Sequence, residues 1–523
     1  MRGVWTGLVV LAVGVAQGVA ARAADCAGLA KLTLDATTIT RAEAVTSGAL
    51  ETDGQTLREL PALCRVEGVL RPSADSEIRF EVWMPESGWN GRLLGVGNGG
   101  FAGSIYYEQM AGYLKRGYAV AGSDAGHEAE SADGSWAYGH PEKVKDFGWR
   151  AVHATRERAG ELVRAYYGKP QEKAYFDSCS DGGREALMEA QRFPEDYDGI
   201  LAGAPANAWT ALTTSGLSLM QTLMDDPRSY VQPRKLQAIE DAALAACDAA
   251  DGVKDGVIAD PTQCHFDPAV LTCKGAETSA CLTPQQVKAV QGLYRGGVDG
   301  NGKPFFSGFE MGDELAWRRW VVGDDPGESL GSQFVRNNFR YLVTGDPKWN
   351  LLTADVGEAL KEAREKTGAD LDSTDPDLSR FAARGGKLIL YHGWNDPAIP
   401  PGSTVAYYKS VEAKMGSEKT ASFTRLYMIP GMEHCAGGPG ATMFGQLGLE
   451  TAKGAKYGVM DELTEWVEQG KPDLPVIATK YAEGADGKRA AVMTRPLCAY
   501  PAVARYKGAG DATDAANFVC AAR

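Results

Sequence analysis

No stretch of this 523-residue sequence is long and apolar enough to span a membrane. A spanning helix needs about 20 largely apolar residues, and the best run, Val4 to Val15, falls short of that. No C-x-x-C pair occurs, which argues against a zinc ribbon or a thioredoxin-like redox site. No Lys/Arg cluster is dense enough to form a nucleic-acid surface. The net charge of −14 mainly implies solubility. Internal repeats and long low-complexity tracts are also missing. Histidine is scarce, with only six: His127, His140, His153, His265, His392 and His434.

What is present begins with an export pattern. Met1-Arg2 is a short basic start, Val4 to Val15 is apolar, and Ala21-Arg22-Ala23 fits an A-x-A cleavage site. A signal peptide over residues 1–23 is therefore expected, with a secreted or periplasmic mature chain. The ten cysteines suit an oxidising compartment, and their even number suits complete pairing. The remaining chain exceeds the usual size of one hydrophobic core, so an insertion or second domain is expected.

Apolar runs at Arg79–Met84, Leu93–Gly97, Tyr118–Gly122, Lys173–Asp177 and Ile200–Ala204 read as strands. Helical spacing over Phe147–Tyr167 and Arg184–Phe193 lies between them. This alternation predicts an α/β fold with a mostly parallel sheet and helices on both faces. From about Ala206 to Gly385 the pattern turns loop-rich, and strand signals return at Lys387–Tyr391 and Thr424–Ile429. So long a detour is better read as an inserted domain than as a connection. The expected division is a catalytic domain over 24–205 and 385–523, with a lid over 206–384.

Ser178-Cys179-Ser180-Asp181-Gly182 follows the strand at Lys173–Asp177 and precedes a helix. It is the nucleophile-elbow pattern G-x-S-x-G with serine at the first glycine. A serine hydroxyl needs an adjacent base, usually a histidine oriented by a carboxylate. His434 follows the last strand signal and Asp396 the one before, which gives the chain order Ser, acid, His of such sites. His392 is a rival base, but it lies at the same strand end as Asp396 and reads better as a packing residue or one that hydrogen-bonds in support of the site. His153 falls inside a helical segment where a structural role is commoner. Cys179 and Cys435 flank the serine and the histidine. A working Ser–His pair would bring them within disulfide reach. The backbone N–H of Asp181, the residue after the nucleophile, is one expected oxyanion donor.

The Cys179-Ser180, Asp396 and His434-Cys435 arrangement resembles that of the tannase/feruloyl esterase family over essentially the whole mature chain. The resemblance implies an α/β-hydrolase core with an inserted lid, acting on esters of aromatic acids. It implies the further pairs Cys26–Cys64, Cys247–Cys264, Cys273–Cys281 and Cys498–Cys520. It favours Gly100, in Gly97-Asn98-Gly99-Gly100, as the second oxyanion donor, where the residues alone allow a plain turn. Asp248, Asp251 and Asp255 are hard oxygen ligands of the kind that suit Ca²⁺. Their spacing departs from the EF-hand consensus, and a solvated acidic loop is the alternative. Similar loops in the family bind calcium through positions matching Asp248, Asp251, the Val253 carbonyl, Asp255 and the Val257 carbonyl. Trp209 and Ile399 are candidates to line the substrate pocket, although either residue type is also common in cores.

A feruloyl-type esterase is the favoured expectation, with a small-molecule aromatic ester as partner and neither nucleic acid nor membrane. A tannase or a mono(2-hydroxyethyl) terephthalate hydrolase is a close rival. The latter would need a cation for a free carboxylate, for which Arg336 and Arg340 are available. A serine peptidase or a non-catalytic binding protein on the same scaffold is more remote.

Overall fold

The computed structural model describes residues 24–449, 458–471, 474–484 and 487–522. The expected signal peptide lies outside the described residues. A nine-stranded sheet organises the chain. Numbering only its strands, these are β1 (Thr37–Val45), β2 (Leu63–Leu70), β3 (Ile78–Pro85), β4 (Arg92–Val96), β5 (Ala119–Ser123), β6 (Lys173–Cys179), β7 (Gly199–Gly203), β8 (Lys387–Gly393) and β9 (Thr424–Ile429). The order is β1-β2-β3-β5-β4-β6-β7-β8-β9. The first three junctions are antiparallel and the remaining five parallel.

The parallel strands are apolar almost throughout because both faces are covered. Tyr175, Leu201 and Ile389 pack on one side with α1 (Tyr107–Lys115). Their neighbours Phe176, Ile200 and Leu388 pack on the other with α2 (Ala151–Tyr167) and α3 (Asp181–Arg192). A single turn of wider helix over Asp146–Arg150 precedes α2, which stops at Gly168 in the left-handed region.

Between β7 and β8 the chain is far more helical than its loop-like composition predicts. It forms α4 (Trp209–Met224), α5 (Leu236–Cys247), α6 (Pro284–Arg295), α7 (Leu330–Asn337) and α8 (Val356–Ala363). A hydrophobic cluster of its own, from Leu217 to Ala363, holds these helices together. The physical reason is clearest in α4, whose buried Thr213 and Thr214 look like turn formers. Their hydroxyls instead donate to the carbonyls of Trp209 and Thr210 one turn back, at 2.9 and 2.7 Å.

Beyond the insertion, α9 (Gly402–Met415) joins the α2–α3 face and α10 (Val459–Gln469) the α1 face. The C-terminal segment forms two small hairpins outside the main sheet. The five disulfides are Cys26–Cys64, Cys179–Cys435, Cys247–Cys264, Cys273–Cys281 and Cys498–Cys520.

Candidate active site

Strand β6 ends at Cys179 and helix α3 begins at Asp181, so Ser180 alone makes the turn between them. Its φ of 68° and ψ of −124° are costly for a residue with a side chain. The turn also draws strand and helix together. A Cβ on Gly182 would stand 1.9 Å from the Ser178 hydroxyl, and one on Gly183 would stand 2.2 Å from the Gly203 carbonyl. Serine is tolerated at 178 because its side chain occupies the space that Gly182 leaves.

Strand β9 delivers His434 and strand β8 delivers Asp396, both just past their C-terminal ends, where open α/β sheets place their sites. His434 Nδ1–H donates to Asp396 Oδ2 at 2.7 Å. Nε2 is thereby left as the acceptor for the Ser180 hydroxyl at 2.8 Å. Asp396 Oδ1 accepts the Ala398 and Ile399 backbone N–H groups at 2.8 and 2.9 Å. Burial pushes the Asp396 carboxyl up, but the His434 charge and hydrogen bonds from His392 and His434 outweigh it. The net effect holds it well below the usual carboxylate range.

His392, the rival base, lies behind Asp396. Its Nε2 meets the Ile399 carbonyl at 3.0 Å, an acceptor only, so Nε2 carries the proton and also donates to Asp396 Oδ2 at 3.1 Å. It is fully buried and supports the acid rather than facing the serine. The Cys179–Cys435 disulfide ties the serine turn to the histidine turn. His127, His140 and His153 bond to Phe101 O, Asp75 and Asp196 respectively, away from Ser180.

Ser180 opens into a cavity of about 370 Å³ that is also lined by Asp181, Gly100, Trp209 and Ile399. The Asp181 and Gly100 backbone N–H groups have no acceptor among the described residues. At Asp181 this follows from its place as the first residue of α3. The insertion contributes Phe309, Trp320 and Phe334 to the wall. The ring of Trp320 meets the His434 imidazole edge-on at 5.4 Å. Arg319 lines the cavity and forms no ion pair among the described residues. Neither Arg336 nor Arg340 lines it: they donate to the carbonyls of Gly327 and Trp349 at 2.8 and 3.1 Å.

The sequence profile described as "Tannase and feruloyl esterase" matches residues 64–521. The chain belongs to this family. It is accordingly a carboxylic ester hydrolase. An uncharacterized esterase of Xanthomonas campestris is 41% identical over 537 residues, covering 97% of this chain and 93% of that protein. The mono(2-hydroxyethyl) terephthalate hydrolase of Piscinibacter sakaiensis is 32% identical, covering 88% of this chain and 85% of that protein. The crystal structure of feruloyl esterase B from Aspergillus oryzae superposes with a TM-score of 0.87 at 30% identity, covering 95% and 99% of the two chains.

One residue of this tannase and feruloyl esterase family member figures in the sequence only as the start of a helix, with no sign there of its place at the site. Arg184, fully buried, donates from Nε to the Asp181 carboxylate at 2.5 Å and from its other nitrogens to the Gly148 and Phe147 carbonyls at 2.6 and 2.9 Å. It holds the Asp181 side chain in the core while the Asp181 N–H faces the cavity. The spacing of three between acid and base on one helix was the available signal.

The acidic loop of this family member lies beside the C-terminal hairpins. Asp248 accepts the Asp255 and Gly256 N–H groups at 3.2 and 3.1 Å, and Asp251 accepts the Val253 N–H at 2.9 Å. Arg495 donates to Asp255 Oδ2 at 2.5 Å, while the buried Asp255 Oδ1 has no partner. Burial and the charges of Asp255 and Asp248 push the Asp251 carboxyl up, against the Val253 hydrogen bond. In kind these donors fit a hard cation such as Ca²⁺, and the orphaned Asp255 oxygen is what such an ion would satisfy. The three carboxylates as placed are not drawn within 4.8 Å of one another. Arg495 holds Asp255 Oδ2, which leaves Oδ1 as the oxygen free to meet an ion.

Proposed function

We propose that this chain is an exported serine esterase that cleaves feruloyl-type esters of aromatic acids through an acyl-enzyme on Ser180. The observation that carries this reading is the hydrogen-bonded line Ser180–His434–Asp396 opening into an aromatic-walled cavity. In this mechanism His434 Nε2 takes the Ser180 proton as Oγ attacks the ester carbonyl. The Asp181 and Gly100 N–H groups meet the developing oxyanion. His434 then gives the proton to the leaving alcohol, and a water activated by the same nitrogen frees the acid. Asp396 keeps the proton of His434 on Nδ1 throughout.

Residues 206–384 act as a lid in this reading, since Phe309, Trp320 and Phe334 complete the wall over Ser180. With Trp209 and Ile399 the wall is mainly apolar, which suits a methoxylated cinnamoyl group better than a trihydroxylated ring. A polyhydroxylated acyl group would need polar partners to offset its lost hydration. The likeness to feruloyl esterase B points the same way. One observation favours a second reading: Arg319, without an ion-pair partner, could take the free carboxylate of a terephthalate monoester. Values of kcat/KM on methyl ferulate, methyl gallate and mono(2-hydroxyethyl) terephthalate decide among these. Methyl ferulate is expected to be fastest, and a faster terephthalate monoester that slows selectively in Arg319→Ala would transfer the assignment. Export through the 1–23 leader is supported by the five disulfides, which persist in oxidising compartments.

The 248–257 loop is proposed to hold a structural Ca²⁺ through Asp248, Asp251, Asp255 and the carbonyls of Val253 and Val257. Calcium is expected to raise Tm, because an ion that binds only the folded state at 100 times its Kd contributes about 2.7 kcal/mol. Thermal scans with excess calcium and with chelator check this. Identical Tm values, together with no calcium in elemental analysis, would reject it.

A further inference from the structure

Helices α2 and α3 carry a second group of chemically capable side chains on the face opposite α1. His153 projects from α2, Glu189 from α3, and Asp196 from the turn leading into β7. Among the described residues they are the group of three whose candidate ligand atoms all lie within 4.8 Å of one another. Glu189 lies nine positions beyond Ser180, about 13 Å along the helix at 1.5 Å per residue, so the cluster is separate from the catalytic cavity.

Glu189 is the anomaly. It is 1% exposed, and no basic or amide donor reaches its carboxylate oxygens; the side chain it meets within hydrogen-bond range is a second carboxylate, Asp196. Two carboxyl groups brought together at this depth repel unless a cation lies between them, and here an imidazole faces the same point. No basic side chain supplies that cation. The nearby Arg156 donates from Nε to the Asp196 carbonyl at 2.7 Å, with its guanidinium over the Tyr197 ring. The other two members are poised and reachable. His153 Nδ1 and Asp196 Oδ2 are 2.6 Å apart, and their side chains are 26% and 13% exposed. The imidazole is fixed by stacking on Phe193 at 3.8 Å.

We propose that His153, Glu189 and Asp196 form a site for a divalent transition-metal ion, with zinc as the natural probe. One imidazole nitrogen and two carboxylate oxygens, with a water, make a four-coordinate shell of the kind zinc takes. An imidazole ligand disfavours calcium and magnesium, which prefer all-oxygen shells. The ion replaces the direct His153–Asp196 hydrogen bond and places a positive charge between the Glu189 and Asp196 carboxylates. It also ties α2, α3 and the entry to β7 together behind the nucleophile helix, a structural role independent of the ester chemistry and of the calcium loop.

The test uses the full mature protein, stripped with chelator, returned to calcium and exposed to zinc. Bound metal is then measured by elemental analysis after gel filtration. The expected result is one zinc per chain in the wild type and in His434→Gln, which removes the active-site imidazole as a competing ligand. Glu189→Gln and His153→Gln are expected to lose that zinc while keeping their calcium content and circular dichroism. The zinc-induced rise in Tm should disappear with it. Should Glu189→Gln fail to fold, His153→Gln decides, because its side chain is partly exposed. No zinc uptake by the wild type, or full uptake by His153→Gln, would overturn the proposal.

Discussion

Replacing Ser180 by alanine is expected to lower kcat on methyl ferulate by about a millionfold while leaving the fold intact, on the scale seen when the nucleophile of a hydrolytic triad is removed. Nothing nearby can take its place. The neighbouring Cys179 has no thiol to offer, since its sulfur is bonded to Cys435. The Ser178 hydroxyl is buried against Gly182. His434 would still be present and still bonded to Asp396, and the Asp181 and Gly100 N–H groups would still face the cavity. These leave only a residual acceleration of roughly 10³–10⁴ over water. Loss of a hydroxyl from a residue already strained in its backbone costs little stability, so Tm should stay within a few degrees. Steady-state rates, together with mass spectrometry for an acyl adduct at 180, measure the effect. A variant that keeps more than about a tenth of wild-type kcat, far above that residue of catalysis, would remove Ser180 from the mechanism.

Asp396→Asn should be the next most damaging change, with a loss in kcat of about 10⁴. The surrounding hydrogen bonds explain why so conservative a substitution fails. Oδ1 is held by the Ala398 and Ile399 N–H groups, so the asparagine carbonyl oxygen must settle there. Its amide NH₂ is then forced to the Oδ2 position, facing His434 Nδ1 and the protonated Nε2 of His392. Two donors oppose each other at His392, and His434 must turn Nδ1 into an acceptor. The His434 proton then sits on Nε2 and points at Ser180, where it blocks the transfer that starts the reaction. KM should change little, because Asp396 does not line the cavity. A kcat within tenfold of wild type would show that the tautomer does not depend on this carboxylate.

The parts of this protein most legible in its sequence are those governed by local geometry. The Ser178–Gly182 turn could be read because strand-to-helix reversal demands small residues at fixed offsets. The positions of Asp396 and His434 followed from strand ends and chain order. Sheet strands buried on both faces, such as Gly199–Gly203, announce themselves as short apolar runs. Less was legible where the decisive contacts are distant in sequence. Strand β1 is half exposed and rich in threonine and charge, so its pairing with β2 is visible only in three dimensions. Helix α4 is covered on several sides and carries buried serine and threonine, which erases the helical stripe. The cation facing the cavity proved to be Arg319 rather than Arg336 or Arg340, because side-chain direction on an irregular helical turn is not encoded by spacing. His392 read as a packing or supporting residue, and its bond to Asp396 adds the detail of which nitrogen is protonated.

The Cys179–Cys435 bond closes a covalent ring of the backbone, and all of residues 206–384 lie inside that ring. A protease that cuts an exposed loop of the insertion therefore does not split the molecule. The two fragments stay joined beside Ser180 and His434, and the hydrogen-bonded pair stays together. Such a nicked enzyme would migrate as one species until reduced. In surroundings rich in proteases, the ring makes the covering over the cavity expendable without dispersing the groups beneath it.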